Sequence, residues 1–257
     1  MDLRAPPTFQ TQRGLVISDL HVFARRSIWT ARLESIASEL KTVDRLVLNG
    51  DTFDFRWSTA SRQATHEKAM AWLRQMLSDL PRCQIHWLAG NHDCQQDFWD
   101  QLVAFSREHS RFQCHQTHLI LGQAIFLHGD CALRQMNLEG LRRYRAGWQD
   151  DQPRSRAAHA VYRLADCLGL TMLIHHVCFP RKAVVRRLAY FLDQVQPDWR
   201  GPIRHCYFGH THLPFAHHEF QGVRYHNTGS AIHGMEFSPC RFEITQTEPS
   251  LLTTAIP

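Results

Sequence analysis

Five short apolar runs in this chain each end in a small cluster of aspartate, asparagine or histidine. The clusters are Asp19-Leu20-His21, Gly50-Asp51, Gly90-Asn91-His92-Asp93, His128-Gly129-Asp130 and Gly209-His210-Thr211-His212. The runs before them have the length of buried strands, and segments with helical spacing at about 28–41 and 62–79 separate the first three. This alternation of strand and helix predicts parallel βαβ units whose sheet is covered by helices. The fold class is therefore expected to be α/β.

The later strand-like runs predict a second group of strands. Residues 118–127 resemble a hairpin, and strand character returns at 206–208, 223–225 and 241–244. Between the hairpin and the later strands, the stretch at about 134–204 has helical character. We therefore expect one domain over residues 1–257 that is interrupted by a helical insertion at about 134–204.

The predicted insertion is strongly basic. Residues 134–204 contain 13 basic and six acidic side chains, and 12 of the 13 basic residues are arginine, whereas the whole chain has a net charge of only +5. Arginine suits bidentate contacts with phosphate, so the segment is a candidate phosphate-binding surface. The alternative is a solvated helical face, which is the commoner meaning of a run of charges.

Composition excludes several classes of protein. A chain of 257 residues with 44% hydrophobic and 21% charged residues is globular rather than disordered. It has no apolar run as long as a membrane span, and the sequence before Leu15 lacks the apolar core of a signal peptide, which favours a cytoplasmic location. The eight cysteines never form C-x-x-C, so we expect reduced, mostly buried thiols.

The clusters at the strand ends have the chemistry of a metal site. The carboxyl ends of parallel strands meet at one edge of a sheet, which is where ligands bind. Oxygen and imidazole ligands without thiolate suit Mn²⁺, Fe or Zn²⁺ better than Mg²⁺. In an extended segment, the D-x-H and H-x-H spacings would point both side chains toward one ion. A lone Asp-x-His cluster is more often a turn cap and a packed histidine, and Gly-His-Thr-His is the strongest single signal for a metal. The five clusters together predict a metal centre.

These clusters, in this order, resemble the calcineurin-like metallophosphoesterase superfamily, and the resemblance extends from about residue 15 to residue 230. It implies a four-layer α/β/β/α sandwich that binds two divalent metal ions, with Mn²⁺ as the first choice and Fe or Zn²⁺ as alternatives. By motif match, the ligands of the first metal would be Asp19, His21, Asp51 and His212. Asp51 would bridge to the second metal, whose other ligands would be Asn91, His128 and His210.

The resemblance also implies a catalytic pair. His92 would donate a proton to the leaving group, and Asp54 would orient its imidazole and raise its pKa. One ligand assignment has a competitor, because His175 or His176 follows an apolar run and could replace His128 at the second metal. We favour His128, since it ends a strand and precedes a glycine as the family pattern requires.

The implied reaction is hydrolysis of a phosphoester or pyrophosphate bond by metal-activated hydroxide. The stretch from Gly50 to Phe55 and the arginine-bearing insertion resemble the UDP-2,3-diacylglucosamine pyrophosphohydrolases. A substrate of that kind, a lipid-linked sugar nucleotide, would contact Arg181, Arg186 and Arg187 and bring the protein to the inner membrane face. The alternative is a metal-dependent nuclease or cyclic nucleotide phosphodiesterase that binds nucleic acid through the basic insertion.

Overall fold

Two five-stranded sheets form the framework of the molecule. The structure, a computed structural model, describes residues 11–150 and 175–245. In these ranges the strands are β1 (Thr11–Ile17), β2 (Arg45–Asn49), β3 (Gln84–Leu88), β4 (Phe112–His115), β5 (His118–Leu121), β6 (Ala124–Leu127), β7 (His205–Phe208), β8 (Phe215–Phe220), β9 (Val223–Asn227) and β10 (Cys240–Thr245). Sheet I has the order β10-β1-β2-β3-β4, and sheet II has the order β5-β6-β7-β9-β8.

The central strands of both sheets are parallel. In sheet I, β1 to β4 are parallel and β10 joins the edge in the antiparallel direction. In sheet II, β6, β7 and β9 are parallel, while β5 and β8 pair with them in the antiparallel direction. The carboxyl ends of the parallel strands therefore gather at one edge of each sheet, as expected for a ligand site.

Helices cover the outer faces of the two sheets. They are α1 (Trp29–Ser35), α2 (Ala37–Leu40), α3 (Arg62–Asp79), α4 (Gln96–Glu108), α5 (Leu138–Ala146) and α6 (Arg181–Val195). Residues of α3 and α4 pack on sheet I in one apolar core, and residues of α5 and α6 pack on sheet II in another. A third core lies between the sheets and includes Val47, Phe126 and Tyr207. The molecule thus has two sheets flanked by helices, which confirms the predicted sandwich.

The structure differs from the sequence expectations in several elements. The helix expected at about 28–41 is divided at Ile36, whose φ of −117° and ψ of 11° are not helical. Helix α4 and the edge strands β4 and β8 were not predicted. Strand β8 contains the run Phe215–Phe220, of which no residue is fully buried, so the apolar pattern that marks the interior strands is absent there.

The predicted insertion at about 134–204 contains α5 and α6, and its residues 151–174 lie outside the described ranges. The division into a domain and an insertion stays a prediction. The seven cysteines in the described ranges are free thiols, of which three are buried, three are partly buried and Cys178 is exposed. Among the helices described, none is long and apolar enough to cross a bilayer.

Candidate metal centre

The predicted metal ligands converge at the carboxyl ends of the parallel strands. In the first group, the ligand atoms of Asp19, His21 and His212 lie within 4.8 Å of one another. His212 Nε2 is 3.1 Å from Asp19 Oδ1 and 3.2 Å from His21 Nε2. Chain segments that are about 190 residues apart in sequence therefore meet at one point. These are the three residues that, together with Asp51, were predicted to bind the first metal.

The second group is formed by Asp51, His128 and His210, whose ligand atoms also lie within 4.8 Å of one another. Asp51 Oδ2 is 3.3 Å from His128 Nε2 and 3.9 Å from His21 Nε2 of the first group. The amide oxygen of Asn91 is 3.3 Å from the same nitrogen of His128. Asp51 therefore lies between the two groups, in the position that a bridging carboxylate needs.

One buried atom of the second group, Nε2 of His210, has no hydrogen-bond partner among the described residues. Burying such atoms without a partner is costly, so the site fits ligands that are completed by a cation. Other ring nitrogens are already engaged, because His128 Nδ1 lies 3.2 Å from the carbonyl oxygen of Asn49 and His21 Nδ1 lies 3.1 Å from Asp54 Oδ2. In His21 and His128, Nε2 is thus the atom available to a metal.

The backbone of the ligand loops is strained. Left-handed φ values between 48° and 62° occur at five of the seven predicted ligands: Asp19, His21, Asp51, His210 and His212. Side chains other than glycine adopt this conformation at a cost, and such residues cluster at functional sites. The D-x-H and H-x-H segments are therefore not extended, contrary to the sequence argument. Their side chains converge because the chain turns at each ligand.

Two glycines allow the ligand loops to approach each other closely. A Cβ atom on Gly90 would lie 2.1 Å from Asp51 Oδ1, and a Cβ atom on Gly209 would lie 2.1 Å from Asp19 Oδ2. The carboxylates also accept backbone hydrogen bonds from the next loop, since Asp51 Oδ1 accepts from His92 N and Asp19 Oδ2 accepts from His210 N. The glycines before Asn91 and His210 are thus needed to make room for carboxylates.

The electrostatics of the site favour bound positive charge. Burial would raise the pKa of Asp19, but the hydrogen bond and charge of His212 outweigh it and lower that pKa to about 2. Burial also opposes ionisation of Asp51, yet the nearby His128 and His92 hold its pKa well below the usual value. Burial lowers the pKa of His210 to about 4 and that of His212 to about 3. The carboxylates are therefore ionised and these two imidazoles neutral at pH 7, the forms that bind metal.

The predicted catalytic pair is in contact. His92 Nδ1 lies 3.0 Å from Asp54 Oδ1, and Asp54 Oδ2 contacts His21, so one buried carboxylate orients both a predicted ligand and the predicted proton donor. Burial disfavours charge on His92, but the carboxylates of Asp54 and Asp51 outweigh it and raise the pKa of His92. Because Nδ1 is engaged, Nε2 is the nitrogen that can deliver a proton.

His175 and His176 were both considered as competitors of His128. His176 is exposed, and His175 lies on the other side of the site. Its ring stacks on His212 with 4.8 Å between the ring centroids, and its Nδ1 is 2.9 Å from the carbonyl oxygen of Thr211. It therefore adjoins the first group, whereas His128 is one of the residues grouped around Asp51. Of the two, His128 has the geometry of a ligand for the second metal.

The three arginines predicted to bind substrate lie on α6. Arg187 donates hydrogen bonds to the carbonyl oxygens of Ala132 and Leu133, and the guanidinium of Arg181 lies 5.1 Å from the ring centre of Phe215. Arg186 is exposed. The helix begins close to the candidate metal centre, because the ring of Phe179 is 5.7 Å from that of His210. The structure thus brings the start of α6 to the site, but two of the three arginines have contacts within the protein.

Sequence reasoning missed the residues that connect the ligand loops. Arg145 of α5 is buried and forms a bidentate ion pair with Asp130 at 2.7 and 3.0 Å, while also donating to the carbonyl oxygens of Ala89 and Gln116. Asn49 donates to the carbonyl oxygens of Leu127 and Tyr207, which joins the ends of β2, β6 and β7. A single buried arginine in a basic stretch has no local signal in the sequence. Asn49 precedes a predicted ligand cluster and was the easier of the two to find.

Residues 13–214 of the chain match the family model of the calcineurin-like phosphoesterases. The chain belongs to this family. Members are hydrolases that depend on two metal ions, in agreement with the paired groups around Asp51. No curated protein matched this chain.

Two solved structures are similar to this phosphoesterase. A phosphopantetheinyl hydrolase from Mycobacterium tuberculosis has 17% sequence identity and a TM-score of 0.41, over 85% of this chain and 89% of that one. A dimetal phosphatase from Danio rerio has 11% identity and a TM-score of 0.43, over 86% of this chain and 88% of that one.

Proposed function

We propose that this hydrolase cleaves a phosphoester or phosphoanhydride bond with two divalent metal ions bound at the candidate metal centre. The first ion would be held by Asp19, His21, Asp51 and His212, and the second by Asp51, Asn91, His128 and His210. The observation that carries the proposal is the position of the Asp51 carboxylate between the two groups of ligands. A shared carboxylate is the usual device for holding two ions close enough to act together.

Two such ions, when bound, supply Lewis-acid charge for the phosphate oxygens and lower the pKa of a water. The donor set of carboxylate, amide and imidazole groups suits Mn²⁺, Fe or Zn²⁺, with Mn²⁺ as our first choice. Neighbouring residues would orient two of the histidine ligands. The carboxylate of Asp54 holds the ring of His21 through Nδ1, and the carbonyl oxygen of Asn49 holds the ring of His128 in the same way.

His92 is proposed as the proton donor. As the bond between phosphorus and the leaving oxygen breaks, the leaving oxygen keeps the electron pair and takes the proton from His92 Nε2. The attacking water forms the new bond to phosphorus and loses its proton to solvent, and His92 regains a proton from solvent in turn. Asp54, 3.0 Å from Nδ1, stabilises the imidazolium before the transfer and fixes which nitrogen carries the mobile proton.

For the substrate we propose a lipid-linked sugar nucleotide of the UDP-2,3-diacylglucosamine type. Exposed apolar side chains support it, because Val177 is 69% exposed and Tyr190 is 37% exposed, on or next to α6. Arg186 and Tyr190 are four residues apart on this helix and so lie on one face. A basic and apolar surface of this kind suits the phosphate and acyl chains of a lipid, and would bring the protein to the inner membrane face.

Four of the described arginines in the basic segment give little support to the nuclease alternative. Arg145 pairs with Asp130, Arg187 and Arg204 donate to backbone carbonyls, and Arg200 pairs with Asp193. These guanidinium groups are already used inside the protein, whereas a surface that follows a nucleic acid needs cations that are free to contact phosphates.

A panel of substrates assayed with Mn²⁺ tests the proposed function. It would compare a detergent-solubilised UDP-linked lipid with bis-p-nitrophenyl phosphate, p-nitrophenyl phosphate, cyclic nucleotides and single-stranded DNA. We expect the UDP-linked lipid to give the highest kcat/KM, and Arg186→Gln to raise KM for the lipid while sparing the nitrophenyl esters. Preferred cleavage of DNA, with binding that falls steeply with salt, would instead identify a nuclease.

A further inference from the structure

A cation–π pair lies beside the proposed proton donor. The guanidinium carbon of Arg56 is 3.7 Å from the ring centre of Trp148, and the same indole ring is 4.6 Å from the imidazole of His92. Trp148 therefore contacts both the arginine and the histidine. Arg56, His92 and Trp148 are all partly buried, so these three side chains form part of the surface near the candidate metal centre.

Arg56 and His92 are positioned by the same carboxylate. Oδ1 of Asp54 accepts a hydrogen bond from the backbone N–H of Trp57 at 2.9 Å and lies 3.0 Å from His92 Nδ1. The turn from Asp54 to Trp57, which contains Arg56, is thus tied to the atom that holds the proton donor. The geometry therefore places Arg56 on the same side of the candidate metal centre as His92.

Trp148 is fixed by the residues around it. Arg145 anchors the end of α5 through Asp130, and the side chain of Gln149 donates to the carbonyl oxygen of Cys94 at 2.9 Å. Gln149 also accepts a hydrogen bond from the backbone N–H of Gln96 at 2.8 Å. The segment that contains Trp148 is therefore bound directly to the loop after β3, in which His92 lies. These contacts fix the position of the indole, on which the guanidinium of Arg56 stacks.

We propose that Arg56 is a specificity residue that binds an oxyanion on the leaving group. This rests on the proposed function, in which His92 marks the leaving-group side. A stacked guanidinium is held in place before binding, and its N–H donors lie in its plane, which suits bidentate contact with a phosphate or carboxylate. The enzyme would therefore prefer substrates whose leaving group carries its own negative charge to substrates whose leaving group is uncharged.

Two kinds of leaving group have this chemistry. In a diphosphate, the leaving group is a phosphate whichever phosphorus is attacked. In a monoester such as phosphoglycolate, the leaving group carries a carboxylate. Both present two oxygens in a plane to the fork of a guanidinium. Bis-p-nitrophenyl phosphate is a phosphodiester whose leaving group carries no anion besides the departing oxygen, and it serves as the uncharged reference.

The kinetic test compares Arg56→Gln and Arg56→Lys with the parent enzyme on a UDP-linked sugar, phosphoglycolate and bis-p-nitrophenyl phosphate. We expect Arg56→Gln to lose about 10- to 100-fold in kcat/KM on the charged substrates, the range of a charge-assisted hydrogen bond. Bis-p-nitrophenyl phosphate should change by less than about twofold. Arg56→Lys keeps the positive charge but lacks the planar donors of the guanidinium, so its loss in kcat/KM should be smaller than that of Arg56→Gln. The charged substrate with the larger loss identifies the kind of anion that Arg56 binds.

Arg107→Gln is the matched control, because Arg107 is exposed on α4 and its replacement removes the same charge away from the site. A binding measurement with excess Mn²⁺ removes the dependence on turnover. We expect the parent enzyme to bind phosphonoacetate more tightly than ethylphosphonate, and Arg56→Gln to abolish that difference.

Equal losses of Arg56→Gln on both charged substrates and on bis-p-nitrophenyl phosphate would overturn the proposal. No preference for phosphonoacetate in the parent enzyme would overturn the carboxylate form of the proposal, and the kinetic loss on the UDP-linked sugar then decides the phosphate form. Absence of any hydrolysis together with selective phosphonoacetate binding would contradict the proposed function and leave Arg56 as an anion-binding residue.

Discussion

Two sets of buried or partly buried histidines in this molecule have different surroundings. His21, His128, His210 and His212 lie at the strand ends, where the carboxylates of Asp19, Asp51 and Asp54 are their neighbours. His86, His115 and His226 lie within strands, next to other histidines and Arg45 or Tyr207. His86 Nδ1 is 3.4 Å from His115 Nε2, and His226 Nε2 is 3.0 Å from His205 Nδ1.

A lowered pKa occurs in both sets, although not at His128, where burial is outweighed by the carboxylate of Asp51 and the pKa is raised to about 10. Burial is the main cause that lowers the pKa of His212 in the first set to about 3, and burial also lowers the pKa of His86 in the second set to about 3. The difference is the carboxylates. An imidazole and an ionised carboxylate can bind one cation together, whereas an imidazole beside an arginine has no negative charge near it to attract a cation. We therefore propose metal binding for the first set and a packing role for the second.

Among the variants considered, Asp51→Asn should cause the largest loss of activity and of bound metal. The change keeps the shape of the side chain but removes the charge that both groups of ligands share. We expect kcat/KM to fall by about 10⁴-fold and the metal content to fall with it, because the two ions supply several kcal/mol of transition-state stabilisation. The measurement is kinetics on bis-p-nitrophenyl phosphate together with elemental analysis of the same sample.

His86→Gln is the control from the second set and should keep two metal ions. Circular dichroism would verify that both variants fold. Full activity of Asp51→Asn with two ions still counted would mean that Asp51 is not the bridge.

Replacing His92 separates proton donation from metal binding, because His92 contacts the carboxylates of Asp54 and Asp51 but is not a predicted ligand. His92→Ala should retain both metals and lose roughly 10²- to 10³-fold in kcat on a substrate with a poor leaving group. The loss should shrink for nitrophenyl esters, since a leaving group of low pKa needs no proton. An equal loss for all leaving groups would show that His92 contributes to phosphate or metal binding instead.

The elements that carry the ligands were predictable because each leaves a local mark. The apolar runs that became β1, β2, β3, β6 and β7 end in clusters that could be read from the sequence. No local sequence pattern predicted the contacts between distant segments. Trp148 reaches His92 across more than 50 residues, and its position depends on the ion pair between Arg145 and Asp130. The sequence predicts that Arg187 binds substrate, but in the structure it donates hydrogen bonds to carbonyl groups that only the fold brings near.

The packing histidines predict a pH-dependent stability. Burial lowers the pKa of His86 to about 3 and that of His115 to about 4, below the ordinary value near 6.5. Between about pH 6.5 and pH 4 the unfolded chain therefore binds protons that the folded chain does not. The contribution of these two histidines to the free energy of unfolding is fully present above this window. It is lost as the pH falls through the window, by at most about 1.4 kcal/mol per pH unit for each histidine. Urea unfolding at pH 7, 6, 5 and 4 measures the slope.

His86→Gln should reduce this slope, whatever it does to the stability at pH 7, because the residue that titrates has been removed. His233→Gln changes an exposed histidine and should leave the slope unchanged. If both variants kept the parent slope, His86 would not be a source of the acid sensitivity.

Anomalous diffraction from crystals of the full chain grown with Mn²⁺ would show directly whether two ions bind at the candidate metal centre, because it locates the ions without reference to activity. We expect two peaks on either side of the Asp51 carboxylate, one among Asp19, His21 and His212 and the other among Asn91, His128 and His210. A single peak, or a peak beside His86 or His226 of the packing set, would contradict the assignment of the metal centre.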